Sequence, residues 1–236
     1  MMTFSYRLRG RIEMYPKQTS ANLSEEIVEV LFSEGAFEDK PVTEQQLADR
    51  FQVSRTPIRE ALKELEGFDI IARKQKKGIH LKKPSIELLV AVYDVRSALE
   101  GFAGRLATQK VTDEDLRELE TLARQFTEGR EEGHHEKCEA ANIAFHNKII
   151  ELSGNPLLIQ IMKSFSIIRQ AFKLAYSIQP ERKGVTTPYP HEEIVEKMKA
   201  GDTEGCEKLL RAHIQRAKKG LIEQLLGFKL DCFSEM

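Results

Sequence analysis

The sequence predicts a mainly α-helical fold in two parts, a small helical head closed by one β-hairpin and a longer all-α bundle. Three observations predict it. A capping box at Thr43 opens a short helix that hands over within a few residues to a second, amphipathic stretch from Val53 to Glu66. Behind that stretch, two short apolar runs, Ile70-Ile71-Ala72 and Ile79-His80-Leu81, flank a basic tip containing a glycine. From Ser85 onward, apolar residues keep helical spacing almost throughout. The division that follows is a flexible N-terminal arm over 1–20, the head over 21–83, the bundle over 84–228 and a C-terminal tail over 229–236.

Composition narrows the function classes. The 236 residues hold 36 Lys+Arg against 37 Asp+Glu, so the chain as a whole carries no polyelectrolyte signal, and any nucleic-acid role must rest on local placement of charge. Cys138, Cys206 and Cys232 form no Cys-x-x-Cys pair, which argues against a disulfide framework or a cysteine-rich zinc site and for free thiols in a reducing cytosol. The amino end lacks an apolar signal core, and the longest apolar run, Leu88 to Tyr93, is too short to span a bilayer. A cytoplasmic protein with no membrane partner is expected.

Taken in order, Arg7, Arg9 and Arg11 lie in the arm without a helical stripe. Leu23, Ile27, Val30 and Leu31 describe an amphipathic helix over about 22–37, punctuated by Gly35 and Pro41. Thr43 and Gln46 satisfy each other's backbone donors at the start of the next helix, which runs through Leu47, Ala48 and Phe51 and breaks near Gln52. In the following helix Ile58, Ala61, Leu62 and Leu65 fall at i, i+3, i+4 and i+7, one buried stripe. Ser54 suits the N-cap, and Pro57 sits in the first turn, where its missing N–H is no loss. Arg55, Arg59 and Lys63 recur every four residues on the opposite face, with Thr56 beside them.

Two short helices joined by a tight turn, the second with a basic outer face, make a helix-turn-helix, and the hairpin behind them makes it winged. Six basic side chains and no acid lie between Arg73 and Lys83, so the tip with Lys76, Lys77 and Gly78 is suited to a phosphate backbone. From these residues alone, a solvated helix face and a merely soluble turn are the alternatives.

In the bundle, the stretch from Ser85 to Lys110 carries an apolar stripe of Leu88, Leu89, Val92, Val95, Leu99, Phe102, Ala103 and Leu106, with Arg96 and Glu100 on or near the same side. Further helices are expected over about 113–125, 134–152, 156–176, 191–200 and 203–226, separated by Gly154-Asn155-Pro156, a loop around 180–190 and Gly201-Asp202.

Leu47-Ala48, then Val53-Ser-Arg-Thr-Pro-Ile-Arg-Glu-Ala-Leu62, then a basic wing ending in Gly78 resembles the GntR family of bacterial transcription regulators. The C-terminal part resembles the FadR-like branch, whose all-helical effector domain is called FCD. The segments that carry this are Val95-Arg-Ser-Ala-Leu-Glu100, Asn142-Ile-Ala-Phe-His146, Ser153-Gly-Asn-Pro156 and His191-Glu-Glu-Ile194 leading to Gly201-Asp202. Together the resemblances span roughly residues 22–226. They imply a homodimer that binds a double-stranded DNA operator with paired winged helices and answers to a small carboxylate effector. Arg55 and Arg59 match the family's base- and phosphate-contacting arginines, Ser54 and Thr56 its hydroxyl contacts, and Gly78 its wing glycine. A further DNA-contacting arginine of some members falls at Gln45 here, so operator sequence does not carry over, and Gln45, Lys63 and the wing are expected to contribute to it.

Asn142 and His146 share a helix face, while His191 and His213 lie on later helices. By spacing alone this is weak evidence for a site, since a lone helical histidine is more often structural. The resemblance implies a divalent-metal site at Asn142, His146, His191 and His213, where many members have aspartate in place of Asn142. A neutral amide is the poorer ligand and leaves the ion's positive charge uncompensated, which weakens metal binding or favours an anionic effector, with Arg96 as a candidate carboxylate clamp. Imidazole ligands suit zinc, and nickel also fits. The expectation is a regulator and not an enzyme; the alternative is a metal-dependent enzyme using the His146, His191 and His213 cluster.

Overall fold

The computed structural model describes residues 20–36, 41–74, 78–175 and 191–226. The N-terminal arm, Lys76 and Lys77, the loop around 180–190 and the C-terminal tail lie outside the described residues, as does Cys232.

The head begins with α1 (Ser20–Ser33), whose Leu23, Ile27, Val28 and Leu31 are buried. Gly35, at φ 62°, ends it before the expected Phe37. In α2 (Glu44–Phe51) the capping box forms as predicted: the Thr43 hydroxyl accepts from Gln46 N, and Gln46 Oε1 accepts from Thr43 N at 2.8 Å. Gln52 then takes a left-handed conformation, φ 53°, and its N–H returns to the Ala48 and Asp49 carbonyls, which turns the chain into α3 (Arg55–Gly67). Ser54 occupies the N-cap position in extended backbone, but its hydroxyl makes no capping hydrogen bond. The stripe Ile58, Ala61, Leu62 and Leu65 is 0–1% exposed, and each of its large members stabilises the head by about 1.5–3 kcal/mol.

The wing is β1 (Ile71–Lys74) paired antiparallel with β2 (Gly78–Leu81), with Ile71 opposite Leu81 and Lys74 opposite Gly78. Val42 adds a bridge to Ile79, tying the segment before α2 to the wing. Gly78 has φ 81°, and a Cβ there would lie 3.0 Å from both Pro41 Cβ and the Val42 carbonyl oxygen, so both the conformation and the space call for glycine.

The bundle consists of α4 (Ile86–Thr108), α5 (Asp113–Glu131), α6 (His135–Leu152), α7 (Pro156–Ala175), α8 (His191–Lys199) and α9 (Thr203–Leu226). A second capping box, Thr112 with Asp115, starts α5, which runs past its expected end because Phe126 and Gly129 continue the buried stripe of Leu119 and Ala123. The long pairs are α4 against α9 and α5 against α6. At Gly104 a Cβ would lie 2.1 Å from Leu210 Cδ1, so glycine is what allows α4 and α9 to approach. The face of α4 buried there is made of Ser97, Gly101, Gly104, Ala107 and Thr108. As a result, part of the apolar stripe read from the sequence turns outward: Val95 is 47% exposed and Phe102 41%.

Two main cores result, beside a small cluster of Phe126, Cys138 and Ala141. One lies within the bundle between α4, α5, α6, α7, α8 and α9, around Leu119, Phe145, Ile149, Ile194 and Leu210. The other joins head to bundle, since Leu23, Ile27 and Leu31 of α1 belong to one buried cluster with Ile167, Ile168, Ala171 and Phe172 of α7 and Leu89 and Val92 of α4. The hydrophobic core is therefore continuous across Pro84.

Candidate functional site

The outer face of α3 presents Ser54, Arg55, Thr56, Arg59 and Lys63 to solvent, as the four-residue spacing predicts. Gln45 is exposed on α2 and donates to Asp49 Oδ1 at 2.8 Å. Sequence reasoning missed Glu44. Its Oε2 accepts from Arg55 Nη2 at 3.0 Å and Arg59 Nε at 2.7 Å, while Oε1 accepts from Arg73 Nη1 of the wing at 3.0 Å. Partial burial pushes the Glu44 carboxyl up, but hydrogen bonds from Arg59 and Arg55 outweigh it and hold it below its ordinary value. One carboxylate thus sets the direction of three guanidinium groups before any DNA is present. The capping box supplies the means, since it fixes Glu44 at the first position of α2, beside the start of α3.

In the bundle, His146 of α6, His191 at the start of α8 and His213 of α9 converge from three separate helices. They are 6%, 0% and 4% exposed, and one nitrogen from each lies within 4.8 Å of the others. His191 is held between Phe145, stacked with centroids 4.3 Å apart, and Phe126 at 4.4 Å. Neither of its ring nitrogens has a hydrogen-bond partner among the described residues. Burial, then the neighbouring His146 and His213, push its pKa well below the ordinary histidine value, so the ring is neutral, which is the form that ligates a cation.

Beside the histidines lies a cavity of about 140 Å³ lined by residues that include Arg96, Asn142, His146, Arg169 and His213. Asn142 reaches it from one turn before His146. Arg96 lies over the Tyr93 ring at 5.0 Å, but its Nε and Nη2 are already engaged by Glu100 Oε1 at 2.8 and 2.7 Å. The other Glu100 oxygen, Oε2, lies 2.7 Å from His146 Nδ1, out of line for a hydrogen bond from the ring. Burial pushes the Glu100 carboxyl up, but Arg96 and His146 outweigh it and hold it well below the carboxylate range.

Arg169, on α7, is the cavity's second guanidinium and was missed from sequence. Its signal was there: it is the one charged side chain in the otherwise apolar and neutral stretch Phe165–Phe172. Its contact to Glu139 Oε1 is long, 3.4 Å, and burial followed by the facing Arg96 lowers its pKa. Of the remaining histidines, His134 is exposed and pairs with Glu132, as expected of a surface residue, whereas His80 is buried in the wing strand.

The donor set fits a divalent cation: three imidazoles converge, and one of them has both nitrogens unmet in a dry setting. Zinc-bound imidazole nitrogens lie about 3.4 Å apart for Zn–N bonds of about 2.1 Å, so the cluster must draw in slightly around an ion.

A helix-turn-helix with an arginine-bearing outer helix, a wing, and a helical bundle with its own cavity define a DNA-binding transcriptional regulator. Residues 17–81 match the family described as bacterial regulatory proteins, gntR family, and residues 91–216 match the FCD domain. The chain belongs to the GntR family and carries an FCD domain. It is 31% identical over 196 residues to the HTH-type transcriptional regulator LutR of Bacillus subtilis, covering 75% of this chain and 88% of that one. It is 29% identical over 177 residues to a probable D-xylose utilization operon transcriptional repressor of Paenarthrobacter nicotinovorans, covering 74% and 76%. Among solved structures it resembles E. coli McbR/YncC, with TM-score 0.64, 25% identity, and coverage of 88% of this chain and 99% of that one. These families and relatives are transcriptional regulators and not enzymes, so the enzyme alternative for the histidine cluster does not stand. No helix among the described residues is long and apolar enough to cross a membrane.

Proposed function

We propose that the chain is a cytoplasmic, homodimeric regulator that binds an operator through the Ser54–Lys63 face of α3, Gln45 and the wing, under the control of a small carboxylate bound beside a divalent metal. The observation that carries the control is the cavity in which His146 and His213 face two guanidinium groups, Arg96 and Arg169, with His191 of the same histidine cluster behind them. His146, His191 and His213, with Asn142 as a weak fourth donor, would hold zinc or nickel, and the ion would supply positive charge to an anionic oxygen. Arg169, with its long contact to Glu139, and Arg96 complete an anion-binding wall. Dimerisation draws support from Ala91, Val95, Ala98 and Phe102, which form an exposed apolar stripe along α4.

The direct test is a titrated gel shift on DNA flanking the gene. Arg55→Ala with Arg59→Ala should abolish specific binding and flatten the salt dependence by about 0.9 in log–log slope for every phosphate that is no longer neutralised. Unchanged specific binding in the double variant would show that α3 is not the reading helix. Adding zinc and candidate carboxylates to the wild type should change affinity, and chelator should reverse the change.

A further inference from the structure

Asn142, one turn before His146, is a neutral amide and brings no negative charge to the three histidines. The structure holds another carboxylate against them. Glu100 is 1% exposed, and its two oxygens point to different neighbours: Oε1 accepts from Arg96 Nε and pairs with Arg96 Nη2, and Oε2 lies 2.7 Å from His146 Nδ1 with no aligned donor. A buried carboxylate oxygen left in this state is stabilised as soon as a ring N–H turns to it, and an imidazole that ligates a metal through one nitrogen offers that N–H from the other. The rotation needed is small, because the two atoms are already at contact distance.

We propose that Glu100 is the anionic positioning residue of the metal site, orienting His146 through Oε2 and offsetting the cation's charge, which the neutral Asn142 amide leaves unmet. This rests on the metal reading given above. The same carboxylate is shared with Arg96, so the guanidinium and the metal-bearing histidine draw on one negative charge. An anion that engages Arg96 loosens its hold on Glu100 and leaves more of that charge to His146 and the ion. Carboxylate binding and metal binding then strengthen each other, and by linkage they do so to the same degree.

The test measures cation affinity alone, with Co(II) as spectroscopic probe and zinc in competition against a chelator of known affinity, on the full-length protein. Glu100→Gln should weaken binding by about 10–100-fold. Arg96→Met should tighten it, because the competing guanidinium is gone; a variant that merely loosened the bundle would not gain affinity. Adding Asn142→Asp to Glu100→Gln should restore most of the missing affinity by returning a carboxylate to the site. If Glu100→Gln binds Co(II) within about twofold of wild type while His191→Ala does not bind, the metal reading stands and the role of Glu100 is overturned. If Arg96→Met weakens binding, the shared-charge coupling is overturned. A wild type that binds neither Co(II) nor zinc overturns both the metal reading and this one.

Discussion

His191 gives the sharpest way to separate a binding residue from a packing residue. Its ring is fully buried between Phe126 and Phe145, and both nitrogens lack a partner among the described residues. A buried polar group left without a hydrogen bond costs about 1–3 kcal/mol, so the ring carries a gross penalty of about 2–6 kcal/mol in the metal-free fold. His191→Phe removes the penalty and keeps the stacking. Phenylalanine is slightly larger, and fitting it against two aromatic rings takes back about 1–3 kcal/mol. The net expectation is a gain of about 2 kcal/mol, or a rise in Tm of about 4–8 °C for a chain of this size. The assay is a thermal melt in chelator, followed by one in excess zinc. In chelator the variant should melt higher than wild type. In zinc the order should reverse, since only wild type gains from ligand binding, by about 2.7 kcal/mol at 100-fold excess over Kd. A variant that melts lower than wild type in chelator would refute the reasoning, because the unmet nitrogens would then be no burden to the metal-free fold.

Two further outcomes follow from the surface geometry. Glu44→Gln frees Arg55, Arg59 and Arg73 from their common carboxylate; non-specific DNA affinity should rise and the ratio of specific to non-specific affinity should fall, both read by competition gel shift, and a rise in that ratio would show that Glu44 opposes the reading geometry. Val95→Glu with Phe102→Glu places charge in the exposed stripe of α4 and should shift the protein from dimer to monomer in sedimentation equilibrium; a dimer that persists would place the subunit contact elsewhere.

Local chemistry was legible where one residue type decides one conformation. The Thr43 capping box, the breakdown of helix at Gln52 and the buried stripe of α3 follow from short-range sterics and hydrogen bonding, and each appears as read. Periodicity was less reliable in α4. There the sequence shows which residues are apolar but not which partner they meet, and the small residues Gly101 and Gly104 proved to be the buried contact with α9 while Val95 and Phe102 turned outward. The histidines were legible through the family resemblance, since their spacing alone says little. Glu44 was not, since it matters through partners 11 to 29 positions away in sequence, and a single charged residue on a helix looks the same whether it faces solvent or a guanidinium. Arg169 stood out from its apolar surroundings, but nothing local showed that it would meet Glu139, 30 positions away.

The proposed control also needs a path from cavity to head, and α7 supplies a physical candidate. Arg169 and Ser166 line the cavity. The Ser166 hydroxyl also donates to Glu25 of α1, and the next turn repeats the link, with Gln170 Nε2 donating to Glu29 Oε1 at 2.8 Å. Between these polar ties, Ile167, Ile168 and Ala171 pack in the same core as Ile27 and Leu31. Close-packed helices of this kind move as units, so an anion that draws Arg169 inward shifts α7, and α1 with it. Glu25→Ala with Glu29→Ala cuts the polar ties from the α1 side but leaves Ser166, Arg169, the histidines and the apolar contact in place. Effector and metal should still bind this variant, measured by calorimetry, while the change in operator affinity that they cause should shrink by about 0.5–2 kcal/mol. Full retention of that change would mean that the signal leaves the pocket by another helix, with α4 the next to test because it carries Arg96 and Glu100 and leads directly out of the wing.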